Sequence, residues 1–342
     1  MGPRDLPRRN GYTVVRNHAR KSDARRRTEA GAGSHRTTLT HTVTRPRIAT
    51  GLAGLDELLG GGLRPGRLTV VAARTAMGKS MLALTMARNC ALRQGRPAQI
   101  ASLEMSNEGL MTRTLAAESG VLTEKILWRR LAEDEVALLR ATATAIDNRA
   151  LLSYGGDGTI PTVADIERNC ARMVDRHGRL DLLVVDYLGL MRGALGQRGS
   201  ADTRQTEVAH IVAGLQELAG RLHAAVVIVE QLDREPERRV DHRPRLSDLC
   251  HGDALLGRAE AVILLYRQAY YDPRHQEGRY DHSPDLELYP AHLFPRYGLP
   301  EPAVQRAELH VPLNRHGRTG VVEVGVELAR SRFFDLRDPA VR

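Results

Sequence analysis

Short apolar segments alternate with amphipathic segments from Ile48 onward. The run Leu182–Val185, directly before Asp186, is continuously apolar, as expected for a strand buried on both faces of a parallel sheet. The predicted strands cover Leu68–Ala73, Ala98–Glu104, Leu180–Asp186, Ala224–Gln231 and Ala259–Arg267. The predicted helices cover Ser80–Leu92, Asn107–Ser119 and Val208–Leu222. Strands joined by long helical crossovers predict an α/β fold, with a mostly parallel β-sheet flanked by helices.

Three parts of the chain depart from this alternation. Near the C-terminus, Glu308–Leu313 and Gly320–Leu328 alternate in polarity around a turn-like stretch, which predicts a β-hairpin. Residues 269–306 have weak periodicity and contain many Pro, Tyr and His, which predicts a surface insertion. Residues 1–45 show no sustained apolar periodicity. We expect them to form a disordered basic arm before a domain spanning residues 46–342.

The positive charge is concentrated in the arm. The first 47 residues contain twelve Lys and Arg against three acids, so they carry the whole net charge of +9. A cluster at Arg25–Arg27 favours a nucleic-acid tether that neutralises phosphates. A solvated tail, or a start codon placed upstream of the true one, explains the same composition. These interpretations stay open.

Composition excludes several classes of protein. The chain has 342 residues, 42% hydrophobic and 27% charged, which is ordinary for a globular protein. It contains no apolar run long enough for a membrane helix, and its first residues, MGPRDLPRRN, lack the apolar centre of a signal peptide. Its three cysteines are far apart and form no CxxC pair, which excludes a zinc ribbon or disulfide framework. We therefore expect a cytoplasmic protein that does not contact a membrane.

The strongest chemical signal is the segment ARTAMGKS, Ala73 to Ser80, between a predicted strand and a predicted helix. It departs from the full GxxxxGK[ST] pattern because Ala73 occupies the first glycine position. Backbone N–H groups at a helix N-terminus can hold a phosphate chain, Lys79 can reach the terminal phosphates, and Ser80 can ligate Mg²⁺. The chain has only three lysines, and one lies here. The predicted ATP-binding residues are Arg74, Thr75, Ala76, Met77, Gly78, Lys79 and Ser80.

Polar residues end three of the predicted strands. Asp186 is positioned to hold Mg²⁺ together with Ser80, although many strands end in an Asp that only caps the next turn. Glu104 can orient and deprotonate an attacking water, or it is an ordinary surface acid. Gln231 can sense the γ-phosphate by a hydrogen bond, or it is simply a polar strand end. Together with the phosphate loop, these side chains predict ATP hydrolysis with Mg²⁺ as cofactor.

Seven segments follow one another along the chain: Thr50–Gly66, Leu68–Ser80, SLEM (Ser102–Met105), DYLGLM (Asp186–Met191), EQLDR (Glu230–Arg234), RPRLSDL (Arg243–Leu249) and NRHGRTG (Asn314–Gly320). In this order they resemble the C-terminal motor domain of the DnaB-type replicative helicases over residues 46–335. The resemblance implies a RecA-like P-loop NTPase core that forms a ring, as a hexamer, with ATP between subunits and single-stranded DNA as partner. It also implies that Arg315 is an arginine finger reaching the neighbouring site, and that replication proteins are further partners.

The chain also departs from the family pattern. We expect the basic arm to stand in place of the family's helical N-terminal domain. Leu313 stands where the family has Lys, and Arg318 is the cation that could substitute for it. The DNA-gripping loop, usually similar to DLRESG, is DLCHGD here. Cys250 therefore replaces a phosphate-contacting Arg, and Asp253 replaces a Gly. The DNA contacts implied for this region are His251, Gly252 and Arg258.

Three functions follow from these residues. The favoured one is an ATP-dependent helicase that moves on single-stranded DNA. The alternative is a RecA-fold ATPase of DNA metabolism, a loader, regulator or scaffold without processive unwinding, which the altered loop favours. The third is a DNA-binding protein with a vestigial ATP site. Two further expectations concern structure and not function. Trp128 belongs to the core of a helical segment, and three histidines of the insertion form no metal site (His275, His282 and His292).

Overall fold

A computed structural model describes residues 45–149, 151–155, 162–191, 201–271 and 304–336. The predicted arm lies outside these ranges except for Arg45, and most of the predicted insertion lies outside them as well. At the end of the predicted insertion, Gln305 and Arg306 belong to a β-strand. The histidines expected not to bind metal lie outside the described residues.

Within the described residues, nine strands form one sheet. The first six along the chain pair only in parallel with one another, and the last three join antiparallel to the edge formed by β6. The order across the sheet is β3-β2-β4-β5-β1-β6-β7-β8-β9. The strands are β1 Leu68–Ala73, β2 Ala98–Ser102, β3 Leu152–Gly155, β4 Leu182–Asp186, β5 Ala225–Gln231, β6 Ala259–Tyr266, β7 Gln305–Asn314, β8 Gly320–Glu327 and β9 Arg332–Phe334.

This arrangement confirms the predicted α/β class, the mostly parallel sheet and the C-terminal hairpin, which is β7 and β8. Strands β3 and β9 were not predicted from the sequence. Both are short and partly exposed, so their residues carry little apolar periodicity. The β3 segment becomes a strand only because it pairs with β2 at the sheet edge.

Eight α-helices lie in the described part of the chain. They are α1 Ala53–Leu58, α2 Lys79–Arg88, α3 Asn107–Ser119, α4 Thr123–Leu127, α5 Glu133–Arg149, α6 Val163–His177, α7 Ala201–Leu222 and α8 Gly252–Leu256. Helix α3 has the predicted bounds, because Ser106 caps its N-terminus through Gly109 N–H and Gly120 ends it with φ +78°. Helix α7 begins before the predicted Val208, since its first turns are polar in sequence and give no periodic signal.

The sheet is buried on both faces. All five residues of β4 and all six of β1 are buried, as the continuous apolar runs predicted. One face packs against α2 through side chains such as Leu82 and Met86, and the other packs against α7 through Val212 and Leu215. The carboxyl ends of β1, β2, β4 and β5 therefore open to one edge between two layers of helices.

The prediction that Trp128 lies in the core is wrong. Its side chain is 58% exposed. Helix α4 is a single short helix of five residues that ends at Leu127, and only Thr123 in it is buried. Trp128 therefore extends past the helix end without a layer above it. None of the described helices combines the length and apolar character that crossing a bilayer requires.

Candidate functional site

The segment between β1 and α2 is built to surround an anion. Gly78 has φ +101°, a left-handed conformation that favours glycine, and Ala76 adopts φ +61°. The turn is closed by the Met77 N–H, which donates to Arg74 O at 3.2 Å. Helix α2 then begins at Lys79 without a side-chain cap among the described residues. Its first N–H groups are thus left to a ligand, and an anion such as phosphate fits that position.

Lys79 is held at the mouth of this loop. Its side chain is only 6% exposed, and its Nζ lies 3.4 Å from Oε2 of Glu104. The ammonium also lies 5.3 Å from the centre of the Tyr187 ring. Glu104 follows the carboxyl end of β2 and is 43% exposed, so it faces solvent beside the lysine. The structure therefore brings together the predicted phosphate-binding lysine and the predicted general base.

Asp186, the last residue of β4, lies beside the start of α2. Burial raises the pKa of Asp186 to about 6, against the lowering effects of the Lys79 charge and the Ser80 hydroxyl. Its Oδ1 atom is buried and has no hydrogen-bond partner among the described residues. A buried carboxylate oxygen without a partner beside a serine hydroxyl fits a divalent cation. Ser80 and Asp186 are the residues that would hold Mg²⁺.

Gln231 closes the site at the end of β5. Its side-chain amide donates to Oγ1 of Thr75 at 2.7 Å, within the phosphate loop. Its backbone N–H donates to Oε1 of the preceding Glu230, also at 2.7 Å. Parallel pairing of β1 and β5 places Ala73 and Gln231 in register, which is why this glutamine meets the loop.

Arg74 contributes to the loop through its backbone. Its guanidinium forms an ion pair with Glu237 at 2.7 Å and donates to Leu232 O at the same distance. The side chain is therefore committed to the segment after β5, whereas the sequence pattern grouped it with the ATP-binding residues. This contact ties the phosphate loop to the segment that leads into the loop around Asp248.

Arg315, the expected arginine finger, follows β7 directly, in the β7–β8 turn. Its Nε donates to Ala259 O and its Nη2 to Leu256 O, each at 2.8 Å, so the side chain lies at the beginning of β6. Among the described residues, its hydrogen bonds do not reach the phosphate loop of its own chain. Leu313 packs with the apolar cluster around α7, and Arg318 pairs with the exposed Glu57.

The DLCHGD loop is firmly anchored at its first residue. Asp248 is 1% exposed and is bound by both terminal nitrogens of Arg239. Burial raises its pKa, but the hydrogen bonds from Arg239 and from the Arg245 N–H outweigh it, and the pKa of Asp248 lies below its ordinary value. Cys250 N–H donates to Gln231 O at 3.3 Å, which joins this loop to the end of β5.

The candidate DNA contacts divide into two groups. His251 and Gly252 line a groove of about 500 Å³ together with Asp253, whose carboxylate accepts from Gln205. Arg258 is not among the residues that line this groove, and its guanidinium donates to Gln216 at 3.4 Å. The described residues contain no cluster of three His, Cys, Asp or Glu side chains that could hold a further metal ion.

Sequence reasoning missed two residues at this edge. Tyr187 follows Asp186 directly and places its ring beside Lys79. Glu230 is 1% exposed near the end of an otherwise apolar strand. A buried acid within an apolar run is itself a signal, because burying a carboxylate is costly unless it is paired or hydrogen-bonded.

The chain matches known proteins over most of its length. A family model for the DnaB-like helicase C terminal domain matches residues 47–335. The replicative DNA helicase DnaB of Leifsonia xyli subsp. xyli is 33% identical over 289 residues, which are 84% of this chain and 56% of that protein. The replicative DNA helicase DnaB of Geobacillus stearothermophilus is 34% identical over 225 residues, 66% of this chain and 48% of that protein. The chain spans about half the length of these curated relatives.

Solved structures show the same fold. One of them, an ATPase domain, aligns with a TM-score of 0.69 at 23% identity, covering 87% of this chain and 94% of that chain. A DnaB-like replicative helicase, described with its interactions with primase, aligns with a TM-score of 0.69 at 23% identity, covering 85% of this chain and 62% of that one. With the family model covering residues 47–335, this chain belongs to the family of DnaB-like helicase C-terminal domains.

Proposed function

We propose that this protein binds ATP with Mg²⁺, hydrolyses it, and uses the reaction to move on single-stranded DNA as a helicase of the DnaB type. The observation that carries the proposal is the convergence of Lys79, Ser80, Glu104 and Asp186 at the carboxyl ends of three strands of one sheet. Family membership supports the same activity. The chain covers about half of its helicase relatives, so the full activity is our proposal.

Each residue has a task that its position supports. The N–H groups at the start of α2 and the ammonium of Lys79 bind phosphate oxygens. Ser80 and Asp186 hold Mg²⁺, which when bound neutralises phosphate charge and orients the phosphates for in-line attack. Glu104 orients the attacking water and accepts its proton on a carboxylate oxygen. Gln231, freed from Thr75, hydrogen-bonds the terminal phosphate.

We further propose that the working unit is a ring, a hexamer by resemblance to the family. Arg315 would then stabilise charge in the site of the neighbouring subunit. DNA would pass along the groove lined by His251 and Gly252, and Arg258 is a further proposed contact. Replication proteins such as primase are the partners we expect. The three free cysteines support a location in the reducing cytoplasm.

A second candidate is a RecA-fold ATPase that lacks processive unwinding, acting as loader, regulator or scaffold. Asp253 favours it, because this carboxylate lines the same groove as His251 and would repel a phosphate backbone. Cys250 favours it as well, since a thiol cannot bind phosphate as an arginine does.

The ATPase rate with and without single-stranded DNA separates these candidates. For the helicase we expect stimulation by DNA, and loss of both basal and stimulated rates in Lys79→Ala. Lys125→Ala is the matched control, because this lysine is 43% exposed and pairs with Glu135 away from the site. Hydrolysis that depends on Lys79 but ignores DNA would support the second candidate. Hydrolysis that survives Lys79→Ala would contradict both.

A further inference from the structure

Glu230 is a buried carboxylate with one oxygen in use and one unused. It is 1% exposed at the end of β5. Its Oε1 accepts the N–H of Gln231 at 2.7 Å. Its Oε2 is buried and has no hydrogen-bond partner among the described residues. Leaving a buried acceptor without a hydrogen bond is costly, so a nearby donor that reached it would stabilise this region.

His251 supplies that donor from the DLCHGD loop. Its Nδ1 lies 3.6 Å from Oε2 of Glu230 and is likewise buried without a partner in the part of the chain that the structure describes. A shift of about 0.8 Å would bring the two atoms to hydrogen-bonding distance. Either the neutral δ-protonated ring or the imidazolium can donate there. The two orphaned atoms are therefore one small movement away from satisfying each other.

Such a movement would change the backbone conformation at His251. This residue has φ +60°, a conformation that histidine adopts infrequently, and it immediately precedes α8. Cys250, one residue earlier, bonds the Gln231 carbonyl through its N–H. The Asp233 N–H also donates to Asp248 O at 2.9 Å. The loop thus contacts the end of β5 and the residues after it through backbone bonds that are already made, and through a side-chain bond that is not.

A chain of contacts connects this gap to the phosphate loop. Thr75 in the phosphate loop accepts from the Gln231 side chain, and the Gln231 backbone donates to Glu230. Glu230 in turn faces His251 at the rim of the groove. If the terminal phosphate draws the Gln231 amide away from Thr75, the end of β5 shifts, and the distance between Glu230 and His251 changes with it.

We infer that Glu230 and His251 are a pair of positioning residues whose hydrogen bond, open in this structure, closes and opens with the nucleotide and thereby moves the DNA-facing loop. Glu230 touches no substrate and acts through Gln231 on one side and His251 on the other. The inference rests on the proposed function and adds the route by which ATP and DNA sense each other.

The test compares the full-length wild type with Glu230→Gln, His251→Gln and the double variant. The ATPase rate is measured with and without oligo-dT, and the stimulation ratio is taken for each protein. The matched control is Glu308→Gln with His310→Gln, a bonded Glu–His pair at 2.7 Å on β7, outside the site. Thermal unfolding of each variant identifies any loss of the fold.

Cys250 provides a second readout that does not depend on activity. It is partly exposed, whereas Cys90 and Cys170 are buried, so a thiol reagent labels it first. Labelling is timed with and without Mg²⁺ and a non-hydrolysable ATP analogue. The comparison is made within each variant, because burial and the nearby Glu230 charge both raise the pKa of the Cys250 thiol. Removing that charge changes the labelling rate by itself.

We expect each single variant to lower the stimulation ratio by about threefold or more, and the double variant to fall no further, as residues in one contact do. We also expect the analogue to change Cys250 labelling in the wild type and not in Glu230→Gln. The inference would be overturned if the effects of the two substitutions on the stimulation ratio multiplied independently. It would also be overturned if the analogue changed Cys250 labelling in Glu230→Gln as much as in the wild type. A wild type that DNA does not stimulate overturns the proposed function and this inference together, whereas a stimulated wild type with unaffected variants overturns the inference alone.

Discussion

Lys79 and Glu104 form an ion pair of 3.4 Å across the mouth of the phosphate loop. The lysine is almost fully buried, while the glutamate is 43% exposed. A pair with one partially solvated member stabilises the fold little. Phosphate, with more charge, can displace the carboxylate from the ammonium. Binding of the nucleotide would therefore free Glu104 to face the attacking water.

This relationship predicts that Glu104→Gln separates binding from catalysis. We expect kcat for ATP hydrolysis to fall by about 10²–10⁴, because the amide cannot accept the proton from water. Affinity for Mg²⁺-ATP should hold or rise, since the amide competes less for Lys79. Turnover under saturating ATP and equilibrium binding of a fluorescent ATP analogue measure the two effects.

Glu108→Gln is the control for that substitution, because Glu108 is exposed in the first turn of α3, close in sequence but outside the ion pair. Its turnover should match the wild type. Should Glu104→Gln turn over ATP at nearly the wild-type rate, another group must activate the water.

Asp186→Asn should stabilise the nucleotide-free protein while removing its response to Mg²⁺. The pKa of Asp186 is raised by burial to about 6, from 3.8. Its contribution to stability is therefore fully present below pH 3.8 and lost as pH rises through about 6. At pH 7.5 the buried carboxylate costs up to about 3 kcal/mol, which the amide avoids.

Urea unfolding at pH 5 and pH 7.5 checks this prediction. The gain from Asp186→Asn should be larger at pH 7.5, and Mg²⁺-ATP should then stabilise only the wild type. Asp181→Asn is a matched control that should lower the free energy of unfolding, because Asp181 is equally buried but pairs with Arg96 and Arg179. A gain for Asp186→Asn that is the same at both pH values would contradict the assigned pKa.

Arg315→Ala should lower the ATPase rate by about 10³ or more if the arginine completes a neighbour's site. Mixing this variant with Lys79→Ala then creates interfaces that have both the lysine of one subunit and the arginine of another. With equal amounts and random assembly, about a quarter of the interfaces are complete, so activity returns. The rate of the mixture, measured after subunit exchange, reports this.

Arg318→Ala is the control in the same turn, since Arg318 pairs with the exposed Glu57 and should have little effect. Arg315→Ala also loses hydrogen bonds to the Leu256 and Ala259 carbonyls, so its unfolding midpoint must be compared. A mixture that stays inactive, although both variants fold and exchange, would place the finger elsewhere.

Deleting residues 1–44 should flatten the salt dependence of DNA binding. This truncation keeps Arg45, whose guanidinium donates to the Leu180 and Leu222 carbonyls. Each arm cation that neutralises a phosphate of single-stranded DNA contributes about 0.7 to the slope of log K against log salt. Replacing Arg25–Arg27 by Gln tests the cluster within the intact arm and should lower the slope by about 2. Identical slopes in all three proteins would make the arm a solvated tail.

The placement of the chemistry could be predicted where it depends on neighbours along the chain. Gly78, Lys79 and Ser80 follow a strand and begin a helix, so their backbone geometry is local. Asp186 and Gln231 end apolar strands, and parallel pairing brings such ends to one edge. The direction of a long side chain was not predictable in this way. The sequence groups Arg74 with the ATP-binding residues, but it does not reveal that the guanidinium pairs with Glu237.

The sequence by itself predicted five of the six parallel strands, the C-terminal hairpin, helices α2, α3 and α7, and the side chains that end the strands. Apolar periodicity reports which face of an element is buried, and that information is local. Only the tertiary structure decided which buried polar groups meet. Glu230 and His251 are far apart in the chain, yet their orphaned atoms approach to 3.6 Å because the DLCHGD loop folds back onto the end of β5. Periodicity does not identify which other element packs against a residue, so burial depends on the tertiary packing. Other elements cover Asp186, whereas Trp128 stays exposed.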